Sequence, residues 1–563
     1  MLIIFLIWLY LGVTFLNVGF AFKKLLRIKV LDTTLTLIFG MFAIILLASF
    51  WAIFGRINFE FQLLLIFLQL VVIGKYQQDL RQLYSSLYLQ VKQIRTILKV
   101  FFLLFLVMVL FQSSSSSIFI DNETYYIQTI KWLNEYGFVP GLANLHIFFA
   151  QTSGWHILQS VFSFSYFNEN CNDLNGFCLL LGIAFSVSSL HKYFKKENFM
   201  DLSLGLLPLA VVFLIPFSNV PSPDLAVIIF SIILFYYFIK YSNETTSHSI
   251  TILSLLALFV IYIKISALPI ILIPILFFVF NKNQTKIISS LLLGAVVFSL
   301  FVVKNMILTS YPLYPSSLLA DYFLSDNSIP IVIYDFWWNK SKNYEFIVSQ
   351  KEYFQLSSFE IFVKWITHSW ITRFFTIAIL SIIIIVPFIL KKIVSKKSIL
   401  ILYWVMILQL LFLIVTTPQY RFVLSFVVFF GLLLVSLILT KKNPIYFTLF
   451  LSFIASSYFI LFPKPMGQNH NQINFKPTTF TVAQSIIPQS NSNLNTQYSL
   501  NSKGNLDYFS PDENTYIWVT GNGKLPCVNS QQLDYIENKL GYIPQLKGKT
   551  LAKGFYSKKV KQP

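Results

Sequence analysis

Asp121 and Glu123 are two acids separated by one residue in the stretch DNETYYIQTIKWLNEYGFVPGLANLH (121–146), directly after an apolar run and a block of five serines. Carboxylates so placed can take a proton from a hydroxyl or hold a divalent cation such as Mg2+ or Mn2+. A third acid, Asp224 in NVPSPDLAV, follows two prolines that break the chain at the end of one apolar run and the start of another. Cations recur beside similar run ends: Lys264 in YIKISALP, Lys304 with Asn305 in VVKNMILTSYPLYP, and Arg421 in TTPQYRF. A guanidinium suits bidentate recognition of a phosphate, and cations can stabilise a departing phosphate.

Each of these residues also has a bland reading. Asp121 or Asp224 can be a helix N-cap, since either side chain can accept from the first turn of a helix. Lys264 can snorkel, Tyr311 and Tyr314 can belong to an interfacial tyrosine belt, and Arg421 can pair with lipid headgroups. Within 124–136, Tyr126, Ile130 and Leu133 fall on one face at helical spacing. Gln128, Lys131 and Glu135 fall elsewhere, so the segment predicts a helix lying along an interface and ended by Gly137 and Pro140.

What must position these residues is a membrane protein. The 563 residues are 56% hydrophobic and 12% charged, with a mean hydropathy of +0.69, more apolar surface than a soluble domain can bury. Apolar runs of helix-spanning length recur through the chain, and ten-residue alternating strands do not, which predicts an all-α polytopic fold and disfavours a β-barrel. About fourteen spans are expected. They lie near 2–22, 33–54, 58–74, 98–118, 174–193, 201–219, 224–240, 249–264, 267–281, 286–303, 371–391, 398–416, 422–440 and 443–462. The stretch 249–281, with Lys264 and Pro269, reads as two short helices or one broken one. The first run is followed rather than preceded by basic residues, so it reads as an uncleaved span.

The net charge of +19 is gathered in short loops between spans, which is a topology signal and not a nucleic-acid stripe. With the N-terminus outside, the clusters Lys23–Lys29, Lys75–Arg95, Lys192–Lys196, Lys282–Lys286, Lys391–Lys397 and Lys441–Lys442 all fall inside. Loops 119–173 and 304–370 and the tail after 462 then fall outside. The polytopic domain runs from 1 to 462, and 463–563 reads as a polar linker and a small extracytoplasmic module introduced by YIWVTGNGKLPCV. Three cysteines are too few for a disulfide framework, although Cys171 and Cys527 share a side and can pair.

The motifs DNETYYIQTIKWLNEYGFVPGLANLH, PSPDL, KISALP, KNMILTSYPLYP and PQYRF resemble a bacterial family of large membrane proteins placed near the GT-C superfamily of integral-membrane glycosyltransferases. That resemblance implies a transferase of the bacterial inner membrane with its active face extracytoplasmic. It would move a sugar from a polyprenyl-phosphate donor to a glycan, lipid or protein acceptor. By the same resemblance Asp121 is the catalytic loop acid, with Glu123 as helper and Asp224 beside them, and Arg421 holds the carrier phosphate. Lys264, Lys304, Asn305, Tyr311, Tyr314 and His146, which closes the first motif, make up the substrate-binding set. Gln419 and Tyr420 stand where relatives often carry an acid and a proline. The competing classes are a lipid-linked polysaccharide polymerase or O-antigen ligase, and a transporter or flippase. A transporter calls for charges at mid-membrane and paired halves, and neither pattern is visible.

Overall fold

The computed structural model describes residues 1–29, 32–170, 174–281, 287–343, 352, 354–367, 370–390, 395–462, 473, 475–476, 480–512 and 515–560. Among them, ten helices are long and apolar enough to cross a membrane. The pair Phe59–Lys75 and Gln77–Gln93, bent by 95°, adds an eleventh if taken as one span. The remaining expected runs are helical but short: Ser249–Ile263, Ile265–Phe280 and Leu424–Ser436. The stretch 249–281 is therefore two helices. Lys264 between them has extended backbone, φ −153° and ψ 118°.

Local chemistry starts and packs these helices. Asp32 accepts from the Leu35 amide to open Thr33–Trp51. That helix lies against Leu2–Leu25 backbone to backbone: a Cβ on Gly19 would stand 1.8 Å from the Thr36 carbonyl oxygen, and one on Gly40 2.0 Å from that of Phe15. Glycine is what permits such an approach between membrane helices. At the centre is Pro223–Asn243, started by Ser222 at the cap and Pro223 in the first turn. It is buried nearly all round and packs against Leu174–Lys196, Ser249–Ile263 and Leu424–Ser436.

One end of this bundle is capped by a polar layer built from distant parts of the chain. The 113–170 loop supplies a π-helical turn, Asn122–Tyr126, continuing into the α-helix Ile127–Tyr136, and a second short helix, Gly154–Val161. The C-terminal residues supply two antiparallel hairpins, Tyr498–Lys503 with Leu506–Pro511 and Tyr542–Leu546 with Phe555–Lys559, and the helix Ser530–Leu540.

This C-terminal part has no core of its own. Leu506, Val528, Leu533 and Phe555 are buried in one cluster with Trp132, Val139, Leu142, Phe149 and Leu308. Nor is 480–497 a free linker. It runs along the serine block, with Gln484 Nε2 donating to the Ser114 and Ser115 hydroxyls and the Gln489 amide to the Ser114 carbonyl. The helix expected to lie along an interface is thus covered on both faces. Gln128 is fully buried and donates to the Gly521 and Gly523 carbonyls.

Candidate functional site

Four charged side chains from four separate segments meet under this cap. Asp224 lies in the first turn of Pro223–Asn243 but does not cap it. Ser222 is the cap, its hydroxyl accepting from the Asp224 amide at 3.3 Å. The carboxylate is left to face inward, 2% exposed, with Oδ1 paired to the Lys264 ammonium. Lys264 reaches it because the chain is extended between two helices, and its ammonium also lies 3.9 Å from the Phe422 ring centroid, a cation–π contact. It is therefore ion-paired within the protein.

Asp121 is not a cap either. Its backbone is already helical, φ −60° and ψ −27°, and it makes no capping bond. Its Oδ2 accepts from Arg421 Nη1 at 2.8 Å, and the Tyr126 hydroxyl stands 3.5 Å away. Arg421 sits in the 3-10 turn Tyr420–Phe422. Tyr420 stacks on Phe375 with ring centroids 4.8 Å apart, and Gln419 Oε1 accepts from Arg421 Nε at 2.7 Å. The same Nη1 lies 3.7 Å from Asp224 Oδ2. One guanidinium thus holds two carboxylates, and Lys264 balances the second. Asp121, Lys264 and Arg421 are each about one-fifth exposed, and Arg421 Nη2 bonds no described residue. That part of the fork is open to an anionic ligand.

Sequence reasoning missed His156. Ser153 caps Gly154–Val161 through a capping box in which the His156 Nδ1 accepts from the Ser153 amide at 3.3 Å. An accepting Nδ1 leaves the proton on Nε2 in the neutral ring. Burial, reinforced by the nearby Lys264 and Lys304 charges, pulls the imidazole down to about 3, so it is neutral at ordinary pH. Its ring lies 4.9 Å from that of Tyr126. The buried Asp224 Oδ2 has no hydrogen-bond partner among the described residues. The Ser-x-x-His spacing before an apolar run was the one signal available, and it reads as a capping box with histidine in the glutamate's place.

The other residues singled out from the sequence lie outside this cluster. Glu123 turns away from Asp121. Its carboxylate accepts from Ser492 Oγ at 2.7 Å and the Asn493 amide at 2.9 Å, and its carbonyl accepts from the Thr520 and Gly521 amides. Burial lifts the Glu123 carboxyl to about 7, against these donors and Asn122, which favour the charged form. Lys304 donates to the Thr152 carbonyl at 2.5 Å. Asn305 pins the Tyr-Pro turn through the Pro312 and Tyr314 carbonyls. Tyr311 is buried and donates to the Ile329 carbonyl, and Tyr314 is buried in the same cluster. His146 is buried with Nε2 3.4 Å from the Trp518 carbonyl, and burial pulls it down to about 4. These are contacts that fasten the cap.

Among the described residues, no group of three or more His, Cys, Asp or Glu side chains is placed to hold a metal ion. A divalent ion between Asp121 and Asp224 would meet the Arg421 guanidinium, so the donor set as it stands does not fit one. Cys527 is a buried free thiol facing the Thr520 carbonyl at 3.2 Å. Cys171 lies outside the described residues.

The chain belongs to the family described as "Domain of unknown function (DUF8201)", whose model matches residues 1–428. Asp121, Asp224, Lys264 and Arg421 lie within the match, whereas the segment that bonds Glu123 lies beyond it. No curated protein and no solved structure matches the chain.

Proposed function

We propose, for a member of a family without an assigned activity, that the chain is a GT-C-type membrane glycosyltransferase using a polyprenyl-phosphate sugar donor. The observation that carries this reading is the convergence of Asp121 and Asp224 on the Arg421 guanidinium, with Lys264 alongside, at one end of an apolar helix bundle. An acceptor hydroxyl attacks the anomeric carbon, and the bond from that carbon to the phosphate oxygen breaks. The electron pair leaves with the polyprenyl phosphate and the proton passes to a carboxylate. Asp121, one-fifth exposed, is the better placed to take it. Arg421 meets the departing phosphate through its open Nη2 edge while Nη1 stays on Asp121. Gln419 then sets the angle of the fork, a role open to an amide at a position where relatives of the resembling family often carry an acid.

In this reading the helices make about fourteen crossings, the four short or bent ones included, and the cap faces the extracytoplasmic side of the inner membrane. Sidedness is checked with Cys171 and Cys527 first replaced by serine. An impermeant thiol reagent on spheroplasts labels Asp326→Cys, a position with an 83% exposed side chain, and spares Glu197→Cys. The inverse pattern overturns the assignment. Activity is checked by the surface glycan of a deletion strain. Loss of one sugar substitution fits a glycosyltransferase, loss of polymer or its ligation fits the polymerase or ligase class, and intact linkages with trapped precursor fit a transporter.

A further inference from the structure

A cavity on the capped side of the bundle is left unused by the proposed chemistry. It has a volume of about 140 Å³ and lies between the serine block, the ends of the Thr96–Ser113 and Lys442–Leu461 helices, and the C-terminal segment. None of its described lining residues is charged. An ion seated there would lose hydration with no charged side chain in the described lining to compensate, and the nearby Met1 ammonium is already held by the Gln484 carbonyl at 2.7 Å.

Its polar side is made of amides and hydroxyls with unspent capacity. Gln484 commits Nε2 to Ser114 and Ser115, and its buried Oε1 has no partner among the described residues. Asn219 spends Nδ2 on the Ser115 and Ser116 carbonyls, and its Oδ1 bonds no described residue. The Gln112 amide, half-buried, also bonds no described residue. The opposite wall is apolar, with Ile215, Phe459 and Leu461 at helix ends, and Phe111 stacked on Phe480 at 5.0 Å and 20°.

Amides, hydroxyls and an aromatic face without charge match a polyol, and the apolar wall matches a hydrocarbon chain. We propose that this cavity binds a neutral glycolipid, its uncharged hydroxyl-rich head against Gln112, Asn219 and Gln484 and its chain along the apolar wall. Phe119 lines the cavity two residues before Asp121, and Asn219 lies five before Asp224. If the bound lipid is the acceptor, these two segments are what bring its head toward the carboxylates. Only that acceptor role rests on the glycosyltransferase reading.

The test uses the full chain in nanodiscs and two photoactivatable probes with the same diazirine-bearing octyl chain, one a glucoside and one a phosphocholine. The glucoside is expected to label peptides covering 111–119 and 480–489, and the phosphocholine to label them weakly. Gln112→Leu, which removes an amide that holds no described partner, lowers glucoside labelling roughly two- to twelve-fold, the worth of one net hydrogen bond. Equal labelling by both probes, or glucoside labelling elsewhere, overturns the proposal, and this wild-type comparison decides even where the variant fails to fold. Labelling of the cavity without sugar transfer by the wild type sinks the glycosyltransferase reading and leaves the site standing. Transfer without labelling does the reverse.

Discussion

Asp121 and Glu123 are two residues apart on one turn, yet their carboxylates occupy opposite kinds of surroundings. Asp121 is partly open and shares a guanidinium with Asp224 in an ionic cluster. Glu123 is sealed and bonded by neutral donors from the C-terminal segment. The same functional group is available for reaction in one place and serves as a fastener in the other. What separates them is helical spacing, which sends residues two apart to different sides of the chain, and the segment that closes over only one of them.

The largest expected effect follows from treating only Asp121 as reactive. Asp121→Asn should lower sugar transfer about 10²–10⁴-fold, the usual worth of general-base assistance, at unchanged membrane abundance. Glu123→Gln should leave turnover near wild type. Equal losses in both, measured as transfer per mole of purified protein, would break the contrast.

Next is the ionic cluster itself. Lys264→Met leaves the buried Asp224 with Arg421 alone, at 3.7 Å. Breaking a buried pair typically costs about 3–5 kcal/mol. Because the Lys264 side chain is one-fifth exposed, the loss should sit at the low end, read as a fall in the unfolding midpoint in detergent. Adding Asp224→Leu should recover most of that stability. No recovery would mean that the pair is not what Lys264 supports.

Glu123 sharpens the comparison through pH. Its folded-state value of about 7 lies above the ordinary 4.5, so the latch stabilises docking fully below pH 4.5 and loses that contribution as pH rises through 7. Opening of the C-terminal segment should therefore grow roughly ten-fold between pH 6 and 8 by proton linkage, followed by limited proteolysis. Glu123→Gln should flatten the curve, and an unchanged curve in that variant would assign the dependence to another group. Smallest is His156, where His156→Ala removes a capping-box partner at about 0.5–2 kcal/mol. His156→Gln, which can still accept from the Ser153 amide, should restore most of it. A thermal melt of the two variants separates these outcomes.

Much of the helical scaffold was legible because spans of about twenty apolar residues follow from bilayer thickness. Breaks were legible where proline or lysine interrupts a run, as at Pro221, Pro223 and Lys264. The helix Gln77–Gln93 was not: its polar sequence reads as a loop, and it is tied to the first helix by Leu80 and Leu83 beside Leu16 and Phe20 and by the Tyr84 hydroxyl on Asn17. At the site, residue types drew attention to Asp121, Asp224, Lys264 and Arg421 separately. The expected topology put all of them at one face, but the pairing of Asp121 with Arg421, 300 positions apart, could not be read. Capping was a fair guess for both aspartates, and it failed at Asp224 because the neighbouring Ser222 takes the cap. Glu123, Lys304 and His146 were ambiguous for one reason: a buried polar group fastening a cap and one serving chemistry have the same residue type.

The Ser492–Glu123 bond joins positions 369 residues apart, and this sets a timetable for biogenesis. At about 5–20 residues per second, Ser492 is synthesised on the order of tens of seconds after Glu123. Through that interval the acid turn has emerged without the segment that covers Glu123. The ribosome thus delivers the helices first and the finished turn last, so a chain interrupted shortly after residue 428 would carry all four ionic residues and still lack the cover over Glu123.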